Sequence, residues 1–238
     1  MPYRSATRTH VGTVRRRNED AVLERAEIGL WAVADGAGGH ERGDYASARI
    51  IAALRQIDPT LCGAVLLEEV KTRLREVNLQ LRAKAAEIGP QALICSTVAV
   101  LLMLGEESCC LWAGDSRFYR LRASALQQLS RDQSHVQNLV DRGEIAPEEA
   151  AEHPLGNIVT NLVGAHDELV LEERRDRAEP GDIMLLCTDG LSGALTDAEI
   201  AEIMRETPVT AAADRLIENS LMQGARDNVS AVVIEYAA

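Results

Sequence analysis

The sequence has no excess of basic residues. Lysine and arginine number 25 against 37 aspartate and glutamate residues, which gives a formal net charge of −12 over 238 residues. Nucleic acids bind basic patches that meet their phosphate backbone, so we predict no nucleic-acid partner, and the same charge is unfavourable for anionic membranes. An acidic protein that acts on phosphate must neutralise it locally, with a few arginines or with metal ions.

Long apolar runs are also missing. The longest, residues 97–104, has the length of a strand, whereas a helix needs roughly 20 apolar residues to span a bilayer. The N-terminus begins polar and lacks the apolar segment of a secretory leader. We therefore expect no membrane insertion and a cytoplasmic location.

Paired cysteines at metal-site spacing are absent as well. The five cysteines are an odd number, which indicates reduced thiols in a cytosolic protein. Neither an EF-hand loop nor a His-Glu-x-x-His motif occurs. Four cysteines lie in apolar runs, as core residues do: Cys95, Cys109, Cys110 and Cys187.

The sequence does contain a pattern in which an apolar strand ends at an aspartate. Residues 30–34 lead to Asp35, and the glycines that follow let the backbone approach a ligand closely. Their spacing misses the dinucleotide fingerprint, because Glu41 stands where the last glycine belongs. A carboxylate beside a bare carbonyl can hold a hard cation, but Asp-Gly after an apolar run is also typical of a plain turn. This segment alone leaves both interpretations open.

The same pattern places three more carboxylates at predicted strand edges: Asp115, Asp189 and Asp227. Glu19 and Asp20 lie at the mouth of a predicted hairpin that leads back to Asp35. This set favours a hard-metal site built from oxygen ligands. Two cations bridged by carboxylates can activate a water and hold both oxygens of an in-line displacement at phosphorus.

Hydrophobic periodicity predicts a mixed fold. We predict strands at 4–14, 21–24, 30–34, 96–104, 108–113, 117–121, 183–187 and 229–236, and helices at 45–57, 65–88, 197–206 and 209–222. Hairpins with paired helices indicate one α+β sandwich domain over residues 1–238 rather than a parallel sheet. The polar segment 130–167, with short helices at 133–142 and 147–152, is predicted to be a mobile surface subdomain.

Five short motifs follow one another along the chain: Arg15-x-x-Asn18-Glu19-Asp20, Asp35-Gly36-x-Gly38-Gly39-His40, Gly114-Asp115-Ser116-Arg117, Thr188-Asp189-Gly190-Leu191 and Asp227-Asn228. Their order resembles the protein phosphatase 2C family of metal-dependent serine/threonine phosphatases, in its compact bacterial branch. The resemblance runs from about residue 4 to residue 236. It implies an α-β-β-α sandwich of two antiparallel sheets, each covered by a helix pair, with residues 130–167 as a flap beside the cleft.

The resemblance also implies a first set of metal ligands. Asp35 would bridge two Mn²⁺ or Mg²⁺ ions, and the Gly36 carbonyl would bind one of them. Asp189 and Asp227 would complete the first ion.

It implies further roles around that core. Glu19 and Asp20 would hold the second ion, largely through waters, and Asp115 together with Asp189 would bind a third, looser ion. Arg15 would clamp the substrate phosphate.

Some residues depart from the family pattern. The animal enzymes have a histidine two places after the bridging aspartate as a proposed general acid, and here that place is Ala37. His40 is therefore the candidate general acid, although a core or capping histidine fits the sequence equally well. In the flap, a frequent arginine is Asn161 here, and Gly156-Asn157 stands where relatives often have Arg-Asn. These changes bear on substrate preference rather than on the chemistry.

The function implied by the resemblance is dephosphorylation of phosphoserine and phosphothreonine in proteins by a metal-activated water, opposing a bacterial serine/threonine kinase. Some compact relatives oppose a kinase that switches on a secretion system. One alternative is a non-catalytic phosphoprotein-binding module of the same fold, whose mark would be the loss of a metal-binding aspartate; none is lost here. Another is a phosphatase domain cut from a larger sensor.

Overall fold

The structure is a computed structural model that describes residues 2–37, 42–150, 153–156 and 158–237. The strands are β1 Tyr3–His10, β2 Asp20–Arg25, β3 Leu30–Ala37, β4 Cys95–Ser96, β5 Val98–Leu104, β6 Glu107–Ala113, β7 Arg117–Arg122, β8 Ala125–Gln128, β9 Glu172–Arg177, β10 Ile183–Cys187 and β11 Val229–Tyr236. The helices are α1 Gly43–Arg55, α2 Gly63–Ile88, α3 His135–Asp141, α4 Pro147–Ala150, α5 Asp189–Ser192, α6 Asp197–Glu206 and α7 Val209–Met222.

The strands form two antiparallel sheets. One has the order β1-β11-β10-β7-β8, and the other has the order β2-β3-β5-β6-β9, with β4 paired to the end of β3. Helices α1 and α2 cover the second sheet, and α6 and α7 cover the first. The predicted α-β-β-α sandwich is confirmed.

The core occupies three layers between these elements. Trp31 and Phe118 lie between the sheets. Leu74 of α2 lies in the layer between the α1–α2 pair and its sheet, and Leu216 of α7 lies in the layer between the α6–α7 pair and the other sheet. Each is at most 1% exposed, and full burial of such a side chain contributes about 1.5–3 kcal/mol. Because β5 is buried on both faces, its sequence is continuously apolar instead of alternating.

The boundaries of several elements agree with the sequence prediction. Helices α6 and α7 and strands β10 and β11 begin and end where the periodicity placed them. The start of α6 is specified by a capping box, in which Thr196 accepts from the backbone N of Glu199 and the Glu199 carboxylate accepts from the backbone N of Thr196.

Other elements differ from the prediction. Strand β3 continues through Asp35 and Gly36 to Ala37, so the interpretation of Asp-Gly as a plain turn is wrong. Strands β8 and β9 were not predicted. The sequence of β9 is Glu-Glu-Arg-Arg-Asp-Arg, which has no apolar alternation and forms an edge strand only because β6 supplies its hydrogen-bonding partner.

The polar segment 130–167 contains α3 and α4 and is tied to the sandwich at its C-terminal end. Val163 is fully buried and pairs with Ser96, and the Gly164 amide donates to Asn78 Oδ1 at 2.6 Å. Its role as a flap stays a prediction. Among the described residues, no helix has both the length and the apolar character needed to cross a membrane.

Candidate metal centre

The β2–β3 hairpin sets the first two carboxylates opposite each other. Asp20 and Asp35 are register partners, and directly opposed residues of antiparallel strands project from the same face. The hairpin mouth is closed by a bond from the Gly36 amide to the Glu19 carbonyl at 3.1 Å. The expectation that the hairpin brings Glu19 and Asp20 close to Asp35 is confirmed.

Two further aspartates reach this site from the ends of other strands. Asp189 follows β10 as the first residue of α5, and Asp115 lies in the turn between β6 and β7. The carboxylates of Asp189 and Asp35 are within hydrogen-bond reach of each other, the charge of Asp115 acts on Asp35, and the charge of Asp189 acts on Asp115. The structure therefore brings together four carboxylates that lie far apart in the sequence.

Asp227 and Arg15 lie together at the edge of this group. Asp227 Oδ2 accepts from Arg15 Nη2 at 2.7 Å, and Asp227 Oδ1 accepts from the backbone N of Asn228 at 2.8 Å. The two side chains are 40% and 58% exposed, so the pair faces solvent. The other N–H groups of Arg15 have no partner among the described residues and can meet an anion.

Burial dominates the titration of Asp20 and Asp115. It raises the pKa of Asp20 to about 7, against hydrogen bonds from Ser230 and Thr188 that lower it. Burial, followed by the negative charge of Asp189, also raises the pKa of Asp115 to about 7. Both shifts show that the folded chain disfavours the charged forms of these groups.

Asp35 and Asp189 have the same character. Burial, and then repulsion from Asp20, raises the pKa of Asp35 well above its ordinary value. Burial, and then the charge of Asp227, raises the pKa of Asp189. Within the described part of the chain, neither carboxylate forms an ion pair with a basic side chain.

Two oxygens test whether a cation fits this site. Asp20 Oδ1 and Asp189 Oδ1 are buried and have no hydrogen-bond partner among the described residues. An unpaired buried polar atom costs about 1–3 kcal/mol, and more when it is charged. Oxygen donors of this kind are what Mg²⁺ and Mn²⁺ bind, so the residues present fit a metal ion. Over residues 2–37, 42–150, 153–156 and 158–237, no three such side chains are already arranged as a ligand group, so binding requires side-chain adjustment.

Neutral residues that sequence reasoning did not assign hold these carboxylates in place. Thr188 Oγ1 and Ser230 Oγ donate to Asp20 Oδ2 at 2.8 and 2.6 Å. Asn228 Oδ1 accepts from the backbone N of Glu19 at 2.7 Å. Thr188 and Asn228 belong to two of the sequence motifs, and these motifs could have pointed to their role. No local sequence feature indicates a role for Ser230.

Gln133 supports the loop that carries Asp115. Its Oε1 accepts from the Gly114 amide and from Asn161 Nδ2, both at 2.8 Å, and its backbone N donates to the Gly114 carbonyl at 3.0 Å. Gln133 thus ties the polar segment to this loop, and Asn161, noted in the sequence as a departure from the family, holds the Gln133 side chain. No sequence signal pointed to Gln133.

The remaining predicted site residues are Gly36 and His40. Gly36 packs so closely on the start of α1 that a Cβ there would lie 2.1 Å from the Gly43 carbonyl oxygen. This approach requires glycine, and the role of the Gly36 carbonyl as a ligand stays a prediction. His40 lies outside the described residues.

Asp189 lies between two open cavities. The first, here called the Arg226 cavity, has a volume of about 620 Å³ and is lined in part by Arg15 and Arg226. The second, here called the Val136 cavity, has a volume of about 540 Å³ and is lined in part by Arg117 and Val136. A substrate can therefore reach the carboxylates from either side.

Known proteins resemble this chain along almost its whole length. A sequence model of the family described as protein phosphatase 2C matches residues 9–223. The serine/threonine protein phosphatase PstP of Mycobacterium tuberculosis is 39% identical over 236 residues, which are 99% of this chain and 45% of PstP. The chain thus spans less than half the length of that relative.

Solved structures agree with the sequence match. The structure described as PppA, a key regulatory component of T6SS in Pseudomonas aeruginosa, superimposes with a TM-score of 0.91 at 41% identity and covers 98% of this chain and 97% of PppA. The catalytic domain of PstP in complex with two manganese ions gives a TM-score of 0.89 at 36% identity, with 99% of each chain covered.

Proposed function

The chain belongs to the protein phosphatase 2C family, and on that premise we propose that it hydrolyses phosphoserine and phosphothreonine in proteins with the help of bound metal ions. Its relatives include proteins named as serine/threonine protein phosphatases. One of them was crystallised with two manganese ions.

The observation that carries the proposal is the group of carboxylates without a compensating cation. Asp20 and Asp189 each keep a buried oxygen unpaired among the described residues, and Asp35 and Asp115 add charge beside them. Clustered carboxylates in a low-dielectric site are costly unless a cation or a proton neutralises them. The site is therefore suited to metal binding and poorly suited to a purely structural role.

The proposed ligands divide into three sets. We propose that Asp35, Asp189 and Asp227 hold one Mn²⁺ or Mg²⁺ ion, that Asp35 with Glu19 and Asp20, the latter two largely through waters, holds a second, and that Asp115 with Asp189 serves a third. The Gly36 carbonyl would bind one of the first two ions. When bound, such ions supply an activated water and neutralise charge on the phosphoryl group.

The protein's own side chains position these groups and the substrate. Thr188 and Ser230 hold one oxygen of Asp20 and leave the other free for a cation. Arg15, anchored through one N–H to Asp227, presents its remaining donors to the phosphate oxygens. His40 remains our candidate for the group that protonates the leaving oxygen.

We further propose that the protein opposes a bacterial serine/threonine kinase in the cytoplasm. The likeness to PppA supports a regulatory role of this kind. All five cysteines are free thiols, which is in keeping with a reducing compartment.

Turnover of an aryl phosphate and of phosphopeptides tests the proposal. We expect hydrolysis of phosphoserine and phosphothreonine peptides with Mn²⁺, loss of that activity in EDTA, and no activity in Asp35→Asn, which controls for contaminating phosphatases. A protein that binds the phosphopeptides but turns over neither substrate would instead be the non-catalytic binding module.

A further inference from the structure

The two cavities that flank Asp189 differ in the guanidinium groups they offer. In the Val136 cavity, Arg117 is already engaged. Its Nε and Nη2 donate to Asp132 at 3.0 and 2.7 Å, and its Nη1 donates to the Tyr119 hydroxyl at 3.0 Å. Few N–H groups of Arg117 therefore remain to bind a substrate.

The Arg226 cavity is different. Arg226 is exposed and makes no hydrogen bond or ion pair with the described residues, and Arg15 uses a single N–H group on Asp227. Arg15 and Arg226 therefore both line the space beside Asp189 with N–H groups that have no partner in the described part of the chain.

The backbone that carries Arg226 is well anchored. The preceding residue, Ala225, is 4% exposed, and its carbonyl accepts from both the backbone N and the Oγ1 of Thr13 at 2.9 Å. Asp227, the next residue, is held by Arg15. Little backbone freedom is lost when the Arg226 side chain takes up a ligand, which favours its use in recognition.

The other walls of the cavity suit an extended peptide. Gly190, Gly193, Ala194 and Gly224 line it together with Gln223, so a substrate backbone can approach closely at the small residues. Val14 also lines the cavity and is 58% exposed, which offers an apolar contact.

We propose that the Arg226 cavity is a second anion subsite, in which Arg226 binds an acidic side chain near the phosphoresidue that Arg15 holds. This inference rests on the proposed function. The acidic group is a carboxylate or a second phosphate, since a guanidinium pairs with both. On a chain with a net charge of −12, most of the surface repels an acidic substrate, so a local cation determines where such a substrate can bind.

Binding to peptides that carry a non-hydrolysable phosphonate in place of phosphothreonine tests this subsite. Three peptides differ at the flanking positions, which are aspartate, a non-hydrolysable phosphonate analogue of phosphoserine or asparagine, and Kd is measured by fluorescence polarisation. We expect the acidic peptides to bind about two- to fivefold more tightly than the asparagine peptide, and we expect added salt to reduce the difference. Because a phosphate carries about −1.5 to −2 charges and a carboxylate one, a much larger gain for the phosphoserine analogue than for aspartate would identify a second phosphate as the preferred ligand, and an equal gain would mean that a single negative charge is enough.

Two variants separate Arg226 from general surface charge. Arg226→Glu should abolish or invert the preference for the acidic peptides over the asparagine peptide. Arg16→Ala, which removes an exposed arginine outside the cavity lining, should leave it intact. Equal Kd values for the three peptides, no detectable binding, or a preference unchanged by Arg226→Glu would overturn the subsite. An Arg226-dependent preference in a preparation without Mn²⁺-dependent turnover would support the subsite and contradict the phosphatase proposal.

Discussion

Strand β10 has an aspartate at each end, and the fold compensates only one of them. Asp182, just before the strand, is 1% exposed and accepts from Arg122 Nε at 2.7 Å, from Arg122 Nη2 at 2.6 Å and from the backbone N of Glu179 at 2.9 Å. Asp189, just after the strand, has a buried oxygen without a partner among the described residues and lies beside the carboxylate of Asp35.

The contrast separates a structural carboxylate from a functional one. A buried carboxylate that receives a bidentate guanidinium is complete within the protein, and removal of its partner would leave an uncompensated charge. The charge of a buried carboxylate that lies among other carboxylates stays uncompensated until a cation binds. We therefore expect mutations at the two ends of β10 to have opposite effects on stability and activity.

The largest effect should come from Asp189→Asn. Loss of this charge should lower kcat with Mn²⁺ by about 10²–10³-fold, on the scale of removing a major electrostatic stabiliser. The free energy of unfolding of the metal-free protein should stay the same or rise, because one of several mutually repelling carboxylates is gone. Steady-state kinetics and urea denaturation in EDTA measure the two quantities.

Asp182→Asn is the matched control at the other end of the strand. It should lose stability and keep kcat close to that of the wild type. If the two variants behaved alike, the distinction between the ends of β10 would be wrong.

The next effect concerns the compensated end. Arg122→Ala leaves the Asp182 carboxylate buried without its two guanidinium bonds, so the free energy of unfolding should fall by about 2–3 kcal/mol, with kcat unchanged. Arg4→Ala removes an exposed ion pair to Glu235 and should cost under about 1 kcal/mol. Urea denaturation of both variants checks the difference, and equal losses would contradict it.

A somewhat smaller effect is expected for Arg15, which lies at the edge of the carboxylate group that contains Asp189. Arg15→Ala should raise KM for a phosphopeptide and lower kcat/KM by about 10- to 100-fold, since a charge-assisted contact contributes about 1.5–3 kcal/mol. Metal affinity should change much less than KM, because Asp227 is the one proposed ligand that Arg15 contacts among the described residues. Arg16→Ala should do much less, because Arg16 lies outside the lining of the cavity beside Asp189, whereas Arg15 is part of that lining. Equal, small effects from both would place Arg15 in a solvated basic patch.

The smallest effect is a pH dependence that only the uncompensated end should show. The folded pKa of Asp115, about 7, lies above its ordinary value of 3.8, and burial and the charges of Asp189 and Asp132 outweigh the nearby Arg117. Between these two pH values the folded chain binds more protons than the unfolded chain. The destabilisation of the folded state by ionised Asp115 is therefore complete above about pH 7 and disappears toward pH 4.

Asp115→Asn in EDTA should therefore be more stable than the wild type near pH 8, and this advantage should vanish near pH 4. Urea titrations across this range measure it. An advantage that does not change with pH would mean that Asp115 is not the titrating group.

Much of the fold could be predicted where local periodicity and burial agree. The apolar runs of β10 and β11 and the amphipathic pattern of α7 specify their own boundaries, because each buries a face against one layer. Strand β9 could not be predicted, since its six polar residues become a strand only through pairing with β6. The partner of Arg15 was equally hidden, because Asp227 lies 212 residues away.

The sequence by itself determined the motif order, the net charge and the presence of aspartates at strand ends, because these properties are local. The motif around Asp189 set it apart from Asp182, but composition did not give the reason, since both adjoin glycine and both border the same apolar strand. Tertiary structure supplied that reason. It brought Arg122, 60 residues away in sequence, to Asp182 and brought Asp35 to Asp189. The reason is physical: whether a buried carboxylate is satisfied depends on the charges and donors within a few ångströms, and only the folded chain sets those distances.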